Sequence, residues 1–215
     1  MALVAELVAG EIGRILGLKI PELVFAQVDE MLGRNEPDAE IRDLLRKSVG
    51  LNLALDYLPG STMFDLAAGD TSDPATASMA VWFDAFTMNI DRTVRNANLL
   101  RWHSALYFID HGAALYWQHN WETAEQSSRS SFPAIRDHIL LSWATQLAEA
   151  DAMARALLSR AALSDILTLA PDAWLSSSGE DPGALRSKYL ELLSYRLETS
   201  SNFVEEAIRA HASLL

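Results

Sequence analysis

Cysteine is missing from all 215 residues. That excludes disulfides, a thiolate nucleophile and any zinc site with a Cys ligand, and it fits a reducing compartment. Basic charge is scarce: 17 Lys and Arg stand against 29 Asp and Glu, a formal net charge of −12. A protein that holds nucleic acid or an anionic membrane by bulk electrostatics is thereby excluded. Any phosphate must be held locally, by a few donors or a metal. No apolar run approaches the length of a membrane span. The opening residues MALVAELVAGEIGR carry Glu6 and Glu11 without a basic stretch, unlike a signal peptide. The expected location is the cytoplasm. Internal repeats and low-complexity tracts are also lacking.

Half of the residues are apolar, enough for one large domain or two small lobes with a real core. Leu3, Val4, Leu7, Val8, Ile12, Ile15 and Leu16 recur at helical spacing, with Gly17 placed as a C-terminal cap. ELVFAQVDE, after Pro21, reads as a strand, EPDAEIRDLLRKSVG as a short helix ended by Gly50, and LNLALDYLPG as a strand that breaks at Pro59 and Gly60. Asp73 followed by Pro74 reads as an N-cap with proline at the first helical position, opening a helix through Phe86. NLLRW and ALYFI, separated by His103 and Ser104, predict a β-hairpin. From Ile135 onward the pattern is helical, interrupted by a surface loop from Ser176 to Gly183. The fold class expected is α+β, mostly helical: a few strands in front and a helical bundle behind.

The stretch from Asn89 to Leu115, NIDRTVRNANLLRWHSALYFIDHGAAL, carries the chemistry. Asp91 and Asn96 lie on the loop before the first hairpin strand, and Asp110 follows the second. A hairpin brings these ends together. Phosphoryl transfer needs one carboxylate to orient the nucleophile's proton and oxygen ligands to hold magnesium against the phosphates. A catalytic-loop Asp, an Asn five residues on and a second Asp after a hairpin are the protein-kinase arrangement, and Asp91, Asn96 and Asp110 match its order and spacing.

ELVAGEIGRILGLKIPE, YLPGS, NIDRTVRNANLLRW, FIDHGAAL and the late YLELLSYRL together resemble the HipA-like kinase family, the bacterial branch of the kinase fold. D-R-x-x-x-N followed by I-D-H-G is also close to the pattern of phosphoinositide lipid kinases. The resemblance implies a kinase-like C-lobe over residues 59–215 behind a truncated N-lobe over residues 1–58 (helix, strands and hinge). It implies Asp91 as catalytic base, Asn96 and Asp110 as magnesium ligands, and Glu6, more than Glu11, as the helix glutamate that pairs with the kinase lysine. It further implies a nucleotide contact at Asp56, Tyr57 and Leu58, where hinge backbone receives the adenine of ATP, with Arg92 beside the phosphates. Kinases carry a Gly-rich loop and a strand lysine ahead of that first helix. Here Lys19, Lys47 and Lys188 are the lysines, and none has the required strand position.

The function expected is ATP- and magnesium-dependent phosphoryl transfer to a protein Ser or Thr. The alternatives are a catalytically inactive kinase-like binding module, or a kinase of lipids or small molecules. Arg92 and Arg95 have two readings: contact with phosphates or a phosphorylated activation segment, or pairing with an acidic neighbour such as Asp84. Ser127 to Ser131 read as an autophosphorylation site or as a mobile loop. The irregular spacing of His111, His119 and His138 argues against a zinc site. His111 stands where kinases have an aromatic residue, and His119 and His138 are expected to be hydrogen-bonded beneath the activation segment. The tryptophans are expected as packing anchors, since no basic residues interleave them for base stacking.

Overall fold

The computed structural model describes residues 2–176 and 179–214. Ser177 and Ser178, inside the loop expected from Ser176 to Gly183, lie outside the described residues. The architecture is α+β and mostly helical, as the sequence predicts. The chain divides into two units, residues 21–58 and residues 1–20 together with 59–215.

In the small unit β1 (Leu23–Val28) pairs antiparallel with β2 (Gly50–Leu55), in the register Leu23 to Leu55 and Val28 to Gly50. Between them runs α2 (Ala39–Lys47), started by the Asp38 carboxylate, which accepts from the backbone N–H of Glu40 at 2.8 Å and Ile41 at 3.1 Å. The helix closes at Ser48 rather than at Gly50. Gly50 instead opens β2 with φ at 113°, a backbone conformation that only glycine adopts freely.

The large unit is organised around α3 (Pro74–Thr87). Asp73 caps it by accepting from Thr76 N–H at 2.9 Å, and every residue from Ala77 to Thr87 is buried. A helix buried all round belongs in the middle of a bundle. Around it lie α5 (Leu147–Leu157), α8 (Pro182–Glu198) and α9 (Ser201–Ala212), while α4 (Ala124–Ser128) and α6 (Arg160–Thr168) pack on α8. Trp82 ties α3 to α5 by donating from Nε1 to Asp151 at 2.8 Å, and it stacks on Phe86. Trp82, Trp117 and Trp174 are buried; Trp102, Trp121 and Trp143 are partly so.

The first helix, α1 (Ala2–Ile15), groups with the large unit and not with residues 21–58, so the division differs from the expected break after residue 58. The cause is packing. Val4, Val8 and Ile12 are fully buried, and α1 lies against α6 and α7 (Asp172–Leu175). Gly17 ends it with φ at 79°, and Lys19 O then accepts from Phe108 N–H at 2.8 Å. Phe108 closes β5 (Ala105–Phe108), which pairs with β4 (Leu99–Trp102); β3 (Thr62–Met63) completes a three-stranded antiparallel sheet. His103 and Ser104 take left-handed φ of 46° and 63°, the two-residue turn whose twist suits a hairpin.

One buried cation joins α8 to the end of α3. Arg196 donates to the carbonyls of Phe86 at 2.9 Å, Ser128 at 2.8 Å, Ser130 at 3.0 Å and Ala85, and its guanidinium lies over the Phe203 ring. Burial pulls its pKa down to about 9, so it remains protonated at neutral pH. The carbonyls at the end of α3 carry the negative end of its dipole, which favours a cation there. Arg196→Met removes the donor while filling similar space, and four carbonyls are left short of a partner. Urea unfolding should show a loss of about 2–4 kcal/mol; a loss below about 1 kcal/mol would show that Arg196 is not holding this junction.

Candidate active site

Beyond Thr87 the chain turns sharply. Met88 is left-handed with φ at 53°, and Asn89 N–H returns to Asp84 O at 2.9 Å. The following loop is held from beneath by Asp84, one turn back on α3 and fully buried. Its carboxylate accepts from Arg92 Nε at 2.6 Å, His138 Nε2 at 2.9 Å and Asn89 Nδ2 at 3.0 Å. Leu140 N–H donates to His138 Nδ1 at 3.1 Å, so the ring's proton lies on Nε2 and points at Asp84. Burial alone would raise the pKa of Asp84. The charge of Arg92 and the hydrogen bond from His138 outweigh it and hold the carboxyl well below the usual carboxylate range.

Arg92 is therefore a structural residue. Its exposure is 1%; beyond Asp84 it reaches the carbonyls of Asn98 and, at 3.5 Å, Ile109, and it lies over the Phe108 ring. Of the two readings of Arg92, contact with phosphate or pairing with an acid, the pairing with Asp84 is present; the guanidinium is shut off from solvent, with Nη2 left without a hydrogen-bond partner among the described residues. Arg95, in contrast, is exposed.

On this frame the three residues chosen for their spacing come together. Asp91 Oδ2 accepts from Asn96 Nδ2 at 2.8 Å and from Asn98 Nδ2 at 3.4 Å. Asn98 Nδ2 also lies 3.5 Å from the carbonyl of Asp110, and Ile109 N–H donates to Asn98 O at 3.1 Å. The two ends of the hairpin thus meet at Asn98. Asp91 Oδ1 has no hydrogen-bond partner among the described residues, and the Asp110 side chain is exposed. Asp110 itself is left-handed with φ at 54°.

Asn98 was not singled out by sequence reasoning. Its φ is 48°, a conformation that Asn tolerates better than most residues, and it directly precedes a strand; that position was the available signal. His111 also has a role beyond its place in the motif. It is fully buried, packs edge-on against Phe83, and its Nδ1 lies 3.3 Å from Glu6 Oε1 on α1. Glu6 therefore pairs with this histidine, and of the lysines, Lys188 pairs with Glu180 and Lys19 lies over Tyr107. A Cβ on Gly112 would touch Asp110 Oδ1 and Glu6 Oε2, so both carboxylates border that glycine. His119 is exposed against Tyr116, which corrects the expectation of a buried hydrogen bond.

Asp56, Tyr57 and Leu58 belong to the small unit. Asp56 N–H is engaged by Glu22 O at 2.8 Å, and Tyr57 is 80% exposed. Of the serine cluster, Ser128 is buried and Ser130 Oγ accepts from Phe132 N–H at 3.0 Å, so part of it is built into the fold.

The donor set fits a small hard cation. With Nδ2 of Asn96 turned to Asp91, Asn96 Oδ1 and the exposed Asp110 carboxylate are the oxygen donors that such a cation would take. No group of three or more His, Cys, Asp or Glu that could hold a metal occurs among the described residues. Magnesium suits such a pair, since it usually takes one or two protein ligands and completes its shell with phosphate and water.

The sign of the Asp84 effect is testable. Its carboxyl is depressed in the folded state, so its contribution is complete above the ordinary value of 3.8 and is lost as pH falls below it toward the folded value. Asp84→Asn should cost about 3–5 kcal/mol at pH 7 by leaving Arg92 buried and unpaired. It should also flatten the dependence of stability on pH between about 5 and 2. Parallel pH curves for parent and variant in urea unfolding would contradict the assignment.

The model of one family, described as HipA-like kinase, matches residues 1–202. No curated protein and no solved structure matches the chain. The match spans nearly the whole sequence, including α1, both hairpin ends and the bundle through α8: the chain belongs to the HipA-like kinase family.

Proposed function

We propose that the chain is a phosphotransferase that uses ATP and magnesium to phosphorylate a Ser or Thr hydroxyl on a protein. The observation that carries this is the meeting of Asp91, Asn96, Asn98 and Asp110 where the two hairpin ends join. Asn96 Oδ1 and the Asp110 carboxylate would hold the magnesium, which when bound neutralises phosphate charge. Asp91 keeps Oδ2 on two amides and turns Oδ1 to the acceptor hydroxyl, taking its proton as the oxygen attacks the γ-phosphorus. The bond from that phosphorus to the bridging oxygen breaks, and the electron pair leaves with ADP. Asn96 and Asn98 keep Asp91 in one orientation through the step, so little reorganisation is required of it. By family resemblance alone, adenine is assigned to the backbone at Tyr57 and Leu58; Asp56 is less suited, since its N–H is already bonded.

One observation favours a second reading, a kinase-like module that binds without catalysis. Glu6, which a kinase would pair with its phosphate-binding lysine, is paired with His111. Calorimetry and transfer of labelled phosphate separate the two. In the first reading the parent binds MgATP, Asp110→Ala weakens the magnesium-dependent affinity by about tenfold or more, and Asp91→Ala lowers transfer by about 10²–10⁴ while nucleotide still binds. Equal binding by parent and Asp110→Ala would remove the metal assignment. MgATP binding without any transfer would favour the module.

A further inference from the structure

A groove of about 670 Å³ opens beside the Asp91 loop. One wall is the turn Thr93 to Arg95, and the other is the segment Arg136 to Ile139, with Leu66 and Leu214 at the margins. Its walls share the frame that holds Asp91. Thr93 N–H donates to Asp91 O at 3.0 Å and to Asn96 O at 2.9 Å, Thr93 bridges to His138, and Ile139 N–H donates to Arg92 O at 3.1 Å. A segment lying in this groove would lie against Thr93, two residues from Asp91 and bonded to its carbonyl.

Charge in the groove is opposite to that of the chain. Arg95 is exposed and has no carboxylate partner among the described residues. Arg136 meets only its neighbour Asp137, at 3.7 Å, with both side chains mostly in water, a pairing of little strength. Arg92, Arg101, Arg129, Arg186 and Arg209, in contrast, all lie within 2.8 Å of a carboxylate. Two guanidinium groups with donors to spare thus line the groove, beside exposed apolar surface on Val94 and Leu214. Guanidinium is the side chain best shaped for carboxylates.

We infer that this is the acceptor groove, and that Arg95 and Arg136 select a polypeptide segment with acidic residues next to its Ser or Thr. The inference rests on the phosphotransferase reading and names the substrate class for it. A phosphate-bearing lipid is the weaker occupant, because a chain of net charge −12 is repelled from the anionic surface on which such a lipid lies. A single soluble segment presents its carboxylates without that surface.

Fluorescence anisotropy with labelled short peptides tests this without requiring catalysis. The peptides carry one Ser among Glu residues, or one Ser among Lys residues. The full chain should bind the Glu peptide about tenfold or more tightly than the Lys peptide, and Arg95→Glu with Arg136→Glu should weaken it by about the same factor. Arg155→Glu, on the exposed face of α5, makes the same kind of charge change elsewhere and should bind as the parent does. Thermal melts of each variant show that the fold is kept. Equal binding of the two peptides, or undiminished binding by the double variant, overturns the inference. So does tighter, double-variant-sensitive binding to phosphatidylserine vesicles than to the Glu peptide. Peptide selection as expected, from a chain that binds no MgATP, supports the groove and overturns only the phosphotransferase reading.

Discussion

A single buried ion pair, Asp84 with Arg92, holds the functional end of this protein together. Both side chains are shut off from water. Asp84 belongs to α3, the central helix; Arg92 belongs to the loop that follows and reaches on to carbonyls at both ends of the hairpin. The same carboxylate takes Asn89 from the loop entry and His138 from a segment more than fifty residues on. Helix, loop, hairpin and distal segment are therefore fixed to one atom group. A buried pair of this kind is often no more stabilising than apolar residues of equal volume would be. Its value lies in geometry, since a carboxylate with three donors permits one arrangement of the groups around it.

The end of α3 is the place where that precision is needed, and a second buried arginine works there too. Arg196 comes from α8 and binds the last carbonyls of the same helix, together with the backbone of Ser128 and Ser130. Arg92 acts through a side-chain carboxylate and Arg196 through backbone oxygens. Between them they position the start of the Asp91 loop and anchor the segment that leads toward His138. Asp91 and Asn96 add bonds of their own to Thr93, and Asp110 adds one to Asn98, within the frame that the two arginines brace. That leaves Asp91 Oδ1, Asn96 Oδ1 and the Asp110 carboxylate for a ligand.

Much of this was legible in the sequence where local chemistry decides the outcome. Asp73 with Pro74 marks a helix start regardless of context, and two apolar tetrads separated by His103 and Ser104 can close on themselves as a hairpin. The spacing of Asp91, Asn96 and Asp110 then places them at adjoining ends. Contacts over longer distances were not legible. Arg92 beside Asp91 suits either a phosphate or a buried acid, and only the packing of α3 decides for the acid. α1 reads as an amphipathic helix from its own residues, but nothing local says that it joins residues 59–215 and brings Glu6 to His111. Asn98 shows its role only once both hairpin ends are seen to meet on it, and His119 was misread because exposure is a property of the assembled unit.

Membership of the HipA-like kinase family supports a kinase-like function, and the loop around Asp91 is the centre proposed for it. No described helix is long and apolar enough to cross a membrane, so the site is not part of a helical span among those residues. The most direct measurement is a crystal structure of the full chain grown with magnesium and a non-hydrolysable ATP analogue. The account predicts a magnesium ion coordinated by Asn96 Oδ1 and the Asp110 carboxylate, with the terminal phosphate facing Asp91 Oδ1 and the bond from Arg92 to Asp84 intact. A nucleotide bound away from these residues, or a metal that leaves Asn96 and Asp110 uncoordinated, would contradict it.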